Sequence, residues 1–196
     1  MVVDAEWTQE LGREGVATIK RWLEATTFIE LPFDAYHQKK EITVLHTGGK
    51  KKLDLGGHYL TGRKFPVLVE CKRYSTPGRQ HREFRRLLAI AYGSIQRERE
   101  IYEDPKHDSF THFIWVTFNP FAQDDWHDLE TRDQVVKGLT ENPDVHDGSE
   151  VDEDLARTIA ERFTVLVFNK KQEELSLDRD ELMKVRTVID RKADTL

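Results

Sequence analysis

The chain has 196 residues, of which 38% are hydrophobic and 34% are charged, and its formal net charge at pH 7 is −6. No run of about 18 apolar residues occurs, which argues against a membrane-spanning helix, and the first residues lack the basic and apolar regions of a secretory signal. Cys71 is the single cysteine, which excludes an intrachain disulfide and a cysteine-based zinc site. We therefore expect one cytoplasmic α/β domain.

Charge is distributed unevenly along the chain. Residues 1–100 contain 18 Lys and Arg against 13 Asp and Glu, whereas residues 101–196 contain 12 against 23. The densest basic stretch, KRYSTPGRQHREFRR, begins at Lys72. This asymmetry is typical of a protein with one phosphate-facing side, although a solvated helix face would produce the same basic run.

Hydrophobic periodicity predicts the elements in chain order. A helix over about residues 6–25 precedes three β-type segments whose Gly-containing turns predict a meander, namely EITVLHT, KKLDLGGHYL and FPVLVECKRY. A long helix and a strand follow, RQHREFRRLLAIAYGSIQREREIYE and THFIWVTFNPF. The remaining elements are the short helix DLETRDQVVKGL, an acidic loop, the helix EDLARTIAER, the strand FTVLVFN and the terminal helix DRDELMKVRTVIDRK.

This order of elements predicts an α/β fold with a mixed central β-sheet flanked by helices. We expect a single domain, with its core over about residues 6–120 and an acidic C-terminal elaboration over about residues 121–196.

The stretch VLVECKRY, residues 67–74, contains the most informative pattern. Side chains alternate along a strand, so Glu70 and Lys72 share one face, while Val69 and Cys71 share the other. A charge on a strand rich in Val and Leu is costly unless it is paired or bound to a metal. An ion pair at a strand end explains this pattern as well as a functional site does.

Two further carboxylates sharpen the prediction. Asp54 lies at a strand position in KKLDLGG and falls beside Glu70 if the meander pairs these strands, and Glu14 lies on the apolar face of the first helix. A divalent cation relieves the repulsion between two such carboxylates, and oxygen ligands favour Mg²⁺ or Mn²⁺. The backbone carbonyl of Cys71 offers another oxygen. A metal-bound water is a good nucleophile, and Lys72 would stabilise charge on a phosphorane.

The order Glu14, Asp54, Glu70-Cys71-Lys72 resembles the PD-(D/E)xK nuclease superfamily, and most nearly its Holliday-junction-resolvase-like and Mrr-like restriction endonuclease branches. The resemblance covers roughly residues 8–120 and is carried by LGREGVATIKRWLEATTFIEL, KKLDLGG, VLVECKRY and FIWVTFNPF. Leu53 stands where many members have Pro, and the acidic stretch beyond residue 120 has no counterpart.

The resemblance implies a restriction-endonuclease-like core and a metal-dependent DNA endonuclease, a Mg-dependent deoxyribonuclease, that acts in defence or repair. Members of this fold often pair to cut both strands, so the resemblance is also compatible with a homodimer. The implied catalytic residues are Asp54, Glu70 and Lys72. The implied ligands of Mg²⁺ or Mn²⁺ are Glu14, Asp54, Glu70 and Cys71. The residues expected to contact DNA phosphates are Lys72, Arg73, Arg79, Arg82 and Arg86.

A second function class stays open at this point. The same fold would serve as a non-catalytic nucleic-acid-binding or interaction subunit of a larger defence or repair complex. In that case the acidic C-terminal region would be the surface that docks a partner protein.

Overall fold

The structure, a computed structural model, describes residues 5–36, 42–60, 63–74, 78–146 and 148–188, without the side chains of residues 5–9 and of Arg186. The helices are α1 (Ala5–Thr26), α2 (Gln80–Ile101), α3 (Arg132–Glu141), α4 (Glu153–Glu161), α5 (Lys170–Glu174) and α6 (Arg179–Val188). The strands are β1 (Ile29–Asp34), β2 (Thr43–His46), β3 (Gly49–Lys52), β4 (Leu55–Tyr59), β5 (Pro66–Lys72), β6 (His112–Thr117) and β7 (Phe163–Val167).

Five strands form the central sheet in the order β1-β4-β5-β6-β7. The β1–β4 and β4–β5 pairs are antiparallel, whereas β5–β6 and β6–β7 are parallel. Helices flank this sheet, so the predicted mixed α/β fold is confirmed. None of the described helices is long and apolar enough to cross a membrane.

The sheet separates two hydrophobic cores. On one face, α1 packs through Ile19 and Leu23 against Val67 and Val69 of β5. On the other face, α2, α3 and α4 enclose a larger core that includes Trp115 of β6. Burying one Leu or Ile side chain contributes about 1.5–3 kcal/mol, so both helical layers hold β5 firmly between them.

The predicted meander was wrong. Strands β2 and β3 pair only with each other, and the segment KKLDLGGHYL breaks at Asp54, where the chain passes from this hairpin into the central sheet. The edge position beside β4 belongs to β1, which the sequence pattern left out. Its sequence contains Pro32, and the β1–β4 register shifts between Glu30 and Phe33. Proline removes a ladder donor, which confines it to such edges and bulges.

The C-terminal third follows the prediction more closely. The N-cap at the start of α6 is formed, since the Glu181 N–H donates to Asp178 at 2.8 Å and the Asp178 N–H donates to Glu181 at 2.9 Å. Residues 189–192, which the sequence pattern placed in the same helix, lie outside the described residues. Helix α5 was not predicted, because five residues are too short for a periodic pattern.

Candidate functional site

Strand β5 delivers Glu70 to the face of the sheet that α2 covers. Glu70 is only 4% exposed. Asp54 reaches the same place from the bend before β4, because its N–H donates to the Val69 carbonyl at 3.1 Å and its Oδ2 accepts the Cys71 N–H at 2.8 Å. The predicted proximity of Asp54 and Glu70 is therefore present, although Asp54 is not on a strand.

Two lysines neutralise the buried Glu70 carboxylate. Glu70 Oε1 lies 2.8 Å from Lys51 Nζ and 2.9 Å from Lys72 Nζ. Lys72 also lies 3.2 Å from Glu83 and stands 5.4 Å from the ring centroid of Trp115. A buried carboxylate is costly without such partners, so these contacts give Lys72 a structural role, and its role in catalysis stays a prediction.

The surroundings of the site shift the pKa of Asp54 and of Lys72. Burial raises the pKa of Asp54 to about 6, and the nearby charge of Glu70 acts in the same direction. Burial alone would lower the pKa of Lys72, but the charge of Glu70 and its hydrogen bond raise that pKa above its usual range. The site therefore favours the charged form of Lys72 and the neutral form of Asp54.

Glu14, another predicted metal ligand, is more than half exposed and pairs with Arg73 at 2.9 Å. The Cys71 backbone is adjacent to the pair, since its N–H donates to Asp54, and its carbonyl as a ligand stays a prediction. The Cys71 thiol faces the α1 core, where burial raises its pKa well above the usual value. No group of three His, Cys, Asp or Glu residues in the described part of the chain is arranged to hold a metal ion. Two carboxylates with the remaining positions filled by water would suit Mg²⁺, so a metal at Asp54 and Glu70 stays a prediction.

Two of the four arginines expected to contact phosphate are paired with acids of the protein. Arg73 pairs with Glu14, and Arg86 makes two hydrogen bonds to Asp144, at 3.0 and 2.7 Å. Arg79 and Arg82 differ, because both are exposed and neither has an ion-pair partner among the residues with described positions. Of the residues predicted to contact phosphate, Arg79 and Arg82 are therefore the two whose charge is not paired with a described acid.

These two arginines line an open groove of about 680 Å³ at the beginning of α2. The groove is lined by Gly78, Arg79, His81, Arg82, Arg85, Glu141 and Asn142. Arg85 is held at the wall by Glu141, 2.5 Å away, and by Gln134, 3.0 Å away. The Arg79 side chain does not cap the first turn of α2, and the N-terminus of a helix favours anions.

The acidic C-terminal region has an internal role. Its acids pair with arginines of α2, through the contacts Arg85–Glu141, Arg86–Asp144 and Arg99–Asp152. Part of the charge asymmetry seen in the sequence therefore serves to join α2 to the C-terminal layer. Docking of a partner protein through this region stays a prediction.

Three residues of the site were missed by sequence analysis: Lys51, Glu83 and Trp115. Lys51 faces Glu70 because its hairpin partner, Val44, points towards the same core. The run of three lysines in GGKKK is a signal for a basic hairpin, but it does not say which lysine points inward. Glu83 and Trp115 carry no local signal, because only α2 and β6 packing brings them to β5.

The fold and the site thus define an α/β protein in which Glu70, a buried carboxylate, pairs with two lysines beside Asp54, with a basic groove at the start of α2. No protein-family model matches the chain, and no curated protein matches it. The structure resembles that of the Moraxella osloensis Cap4 SAVED/CARF-domain containing receptor, with 15% identity, a TM-score of 0.36, and coverage of 93% of this chain and 39% of the receptor.

A similar likeness exists to the Acinetobacter baumannii Cap4 SAVED/CARF-domain containing receptor with the cyclic trinucleotide 3′3′3′-cAAA, with 14% identity, a TM-score of 0.33, and coverage of 95% of this chain and 40% of that one. The same receptor with 2′3′3′-cAAA gives 16% identity, a TM-score of 0.32, and coverage of 90% and 38%. The chain thus spans about two fifths of the length of these receptors. At these values the likeness assigns no ligand and no activity to this chain.

These comparisons contradict the assignment to the PD-(D/E)xK superfamily. The three solved structures named above are described as SAVED/CARF-domain receptors, and no family model matches the chain. The function of a metal-dependent DNA endonuclease, which followed from that assignment, is withdrawn with it. The pattern of Glu70 and Lys72 that suggested it is, in the structure, an ion pair reinforced by Lys51.

Proposed function

We propose that the chain is a non-catalytic nucleic-acid-binding module. The groove at the beginning of α2 carries this proposal, because Arg79 and Arg82 expose guanidinium groups that no described acid neutralises. Guanidinium groups bind phosphate oxygens in a bidentate geometry. Two such groups beside an uncapped helix N-terminus suit consecutive phosphates of a nucleic-acid backbone.

The form of the groove also indicates what kind of binding to expect. It is open and lined mainly by charged side chains, so it holds the backbone of a strand rather than enclosing a base. Phosphate contacts of this kind position a ligand without reading its sequence. We therefore expect binding that depends strongly on salt and weakly on sequence.

Replacing both exposed arginines should flatten the salt dependence of binding. Each phosphate contact contributes about 0.9 to the slope of log K against log salt for duplex DNA and about 0.7 for a single strand. The Arg79→Ala/Arg82→Ala variant should therefore lower the slope by about 1.4–1.8. Fluorescence anisotropy with labelled single- and double-stranded DNA and RNA, between 50 and 300 mM salt, measures this slope.

The matched control is Arg157→Ala, since Arg157 is as exposed but lies on α4 and pairs with Asp154 at 2.9 Å. Its slope should equal that of the wild type. An equal slope for the double variant would place nucleic acid elsewhere on the chain. Cleavage of plasmid or oligonucleotide by the wild type in Mg²⁺ would show that the protein is catalytic and would overturn the proposal.

Cation binding at the carboxylate pair is a separate proposal, because Lys51 and Lys72 already compensate Glu70. We propose that Asp54 and Glu70 hold Mg²⁺ or Mn²⁺ only in competition with these ammonium groups. Lys51→Met should then tighten Mn²⁺ binding about tenfold, since it removes one positive charge near the ion, and Asp54→Asn should abolish the binding. Calorimetric titration with Mn²⁺ measures both.

The control for the cation experiment is Asp124→Asn, which removes an exposed carboxylate far along the chain and should bind Mn²⁺ like the wild type. If Asp54→Asn gives the wild-type titration curve, Asp54 is not a ligand. If Lys51→Met weakens binding, the lysine does not compete with the ion.

A further inference from the structure

A second, smaller cavity lies deeper in the molecule, between the β2–β3 hairpin, the central sheet and α2. Its volume is about 140 Å³. The lining residues are Lys51, Glu70, Lys72, Glu83, Arg86, Leu87, Ile90 and Trp115. Arg86 and the groove residue Arg82 are one helical turn apart on the same face of α2, so the cavity and the groove are neighbours along this helix.

Two residues that line this cavity each have a buried polar atom without a hydrogen-bond partner among the described atoms, namely Trp115 Nε1 and Glu70 Oε2. The Trp115 side chain is 0% exposed, and its ring is fixed by Phe84, with the ring centroids 5.7 Å apart. Glu70 is 4% exposed, and its other oxygen is taken by the two lysines. An unsatisfied buried polar group is costly, and native proteins rarely leave one without a reason.

The chemistry of the lining specifies a ligand with both acceptors and a donor. Trp115 Nε1, Lys51, Lys72 and Arg86 are all donors, and donors of this kind bind oxyanions. The three cations already pair with Glu70, Glu83 and Asp144, so a bound oxyanion would share them with these carboxylates. Glu70 Oε2 is an acceptor and needs a hydroxyl. A phosphate monoester offers both, because its second pKa is about 6 and one P–OH persists near that pH, whereas an internal phosphodiester has no such proton.

We propose that this cavity binds a phosphate monoester, either as free phosphate or as the terminal phosphate of a nucleic-acid strand whose backbone lies along the groove. The monoester P–OH donates to Glu70 Oε2, and its other oxygens accept from Trp115 Nε1 and the ammonium groups. The strand-end part of this inference rests on the proposed nucleic-acid binding. A volume of about 140 Å³ accommodates one phosphate group and excludes a chain that passes through.

The test compares strands that differ only at their ends. Labelled 12-nucleotide single strands with a 5′-phosphate, a 3′-phosphate or two hydroxyl ends are titrated by anisotropy at pH 6.5 with EDTA, so that no metal contributes. One phosphorylated end should bind about tenfold more tightly than the hydroxyl-ended strand, as expected for a charge-assisted hydrogen bond. Inorganic phosphate, titrated alone by calorimetry, should bind at the same site.

Trp115→Phe removes the indole donor and should abolish the preference for a phosphorylated end, while hydroxyl-ended strands bind as before. Because Trp115 is in the core, Lys51→Met provides a second test on the surface hairpin, and it should weaken inorganic phosphate binding. Trp22→Phe is the control, since Trp22 packs on Phe168 at the other face of the sheet and should keep the preference.

Equal binding of all three strands, together with no binding of inorganic phosphate, would overturn the inference and leave water as the occupant of the cavity. If no strand binds but inorganic phosphate binds and is lost in Lys51→Met, the phosphate site stands and the nucleic-acid proposal fails. If hydroxyl-ended strands bind with the expected salt dependence, no end is preferred and inorganic phosphate does not bind, the nucleic-acid proposal stands and the phosphate site fails.

Discussion

Lys72→Met should destabilise the protein by about 3 kcal/mol, the lower end of the range for breaking a buried ion pair. Methionine keeps the apolar stem but removes the ammonium from Glu70, which is 4% exposed. The loss is not larger because Lys51 stays 2.8 Å from the same oxygen. In a chain of this size the melting temperature should fall by about 6–12 °C, which thermal and urea unfolding measure.

The matched control is Lys50→Met, since Lys50 precedes Lys51 on the same hairpin but is exposed, and it should melt like the wild type. Combining Lys72→Met with Glu70→Gln should recover most of the stability, because the stranded carboxylate is gone. A Lys72→Met protein that melts like the wild type would show that the lysine is not there to stabilise Glu70, and the interpretation as an ion pair would fail.

Asp54→Asn should stabilise the protein, and it should do so only at neutral and alkaline pH. The folded-state pKa of Asp54 is raised from 3.8 to about 6, so folding favours its protonated form. The stability that this form contributes is present below about pH 4 and is lost as the pH rises through 6. At pH 8 the ionised Asp54 therefore costs the folded protein about 3 kcal/mol, which asparagine does not.

We expect Asp54→Asn to melt about 6–12 °C above the wild type at pH 8, and the difference to shrink towards zero near pH 4. The amide oxygen can still accept the Cys71 N–H, which now reaches Asp54 Oδ2 at 2.8 Å. Asp124→Asn, at an exposed site, should show no such pH-dependent difference. A difference in melting temperature that stays constant from pH 4 to pH 8 would show that ionisation of Asp54 does not cause the stabilisation.

Local patterns predicted the sequence of elements well, and the reason is visible in β5. Its strict alternation sends Val67 and Val69 into the α1 core and Glu70 to the α2 side, as a period of two requires. The pattern failed at β1, an edge strand whose Pro32 interrupts the strand-like sequence. It also failed in KKLDLGGHYL, because this run contributes β3 to the two-stranded sheet and β4 to the central sheet.

The meeting of Asp54 and Glu70 was predicted for a reason that was partly wrong. The prediction placed both on paired strands of a meander, whereas Asp54 lies in the bend before β4 and is held by the backbone of Val69 and Cys71. Asp54 and Glu70 are nevertheless close together, because the pairing of β4 with β5 begins at the next residue, Leu55. Glu14, which the prediction placed beside them, pairs with Arg73 instead.

What the sequence determined by itself is therefore local: the mixed α/β class, the course of α2 and β5, and the face that carries Glu70 and Lys72. These follow from periodicity, which acts over a few residues. The tertiary structure alone decided which charges remain free. Lys51 meets Glu70 across 19 positions of sequence, and Arg86 meets Asp144 across 58. Ion pairing depends on distance in space, and no local pattern encodes which partner packing will bring within reach.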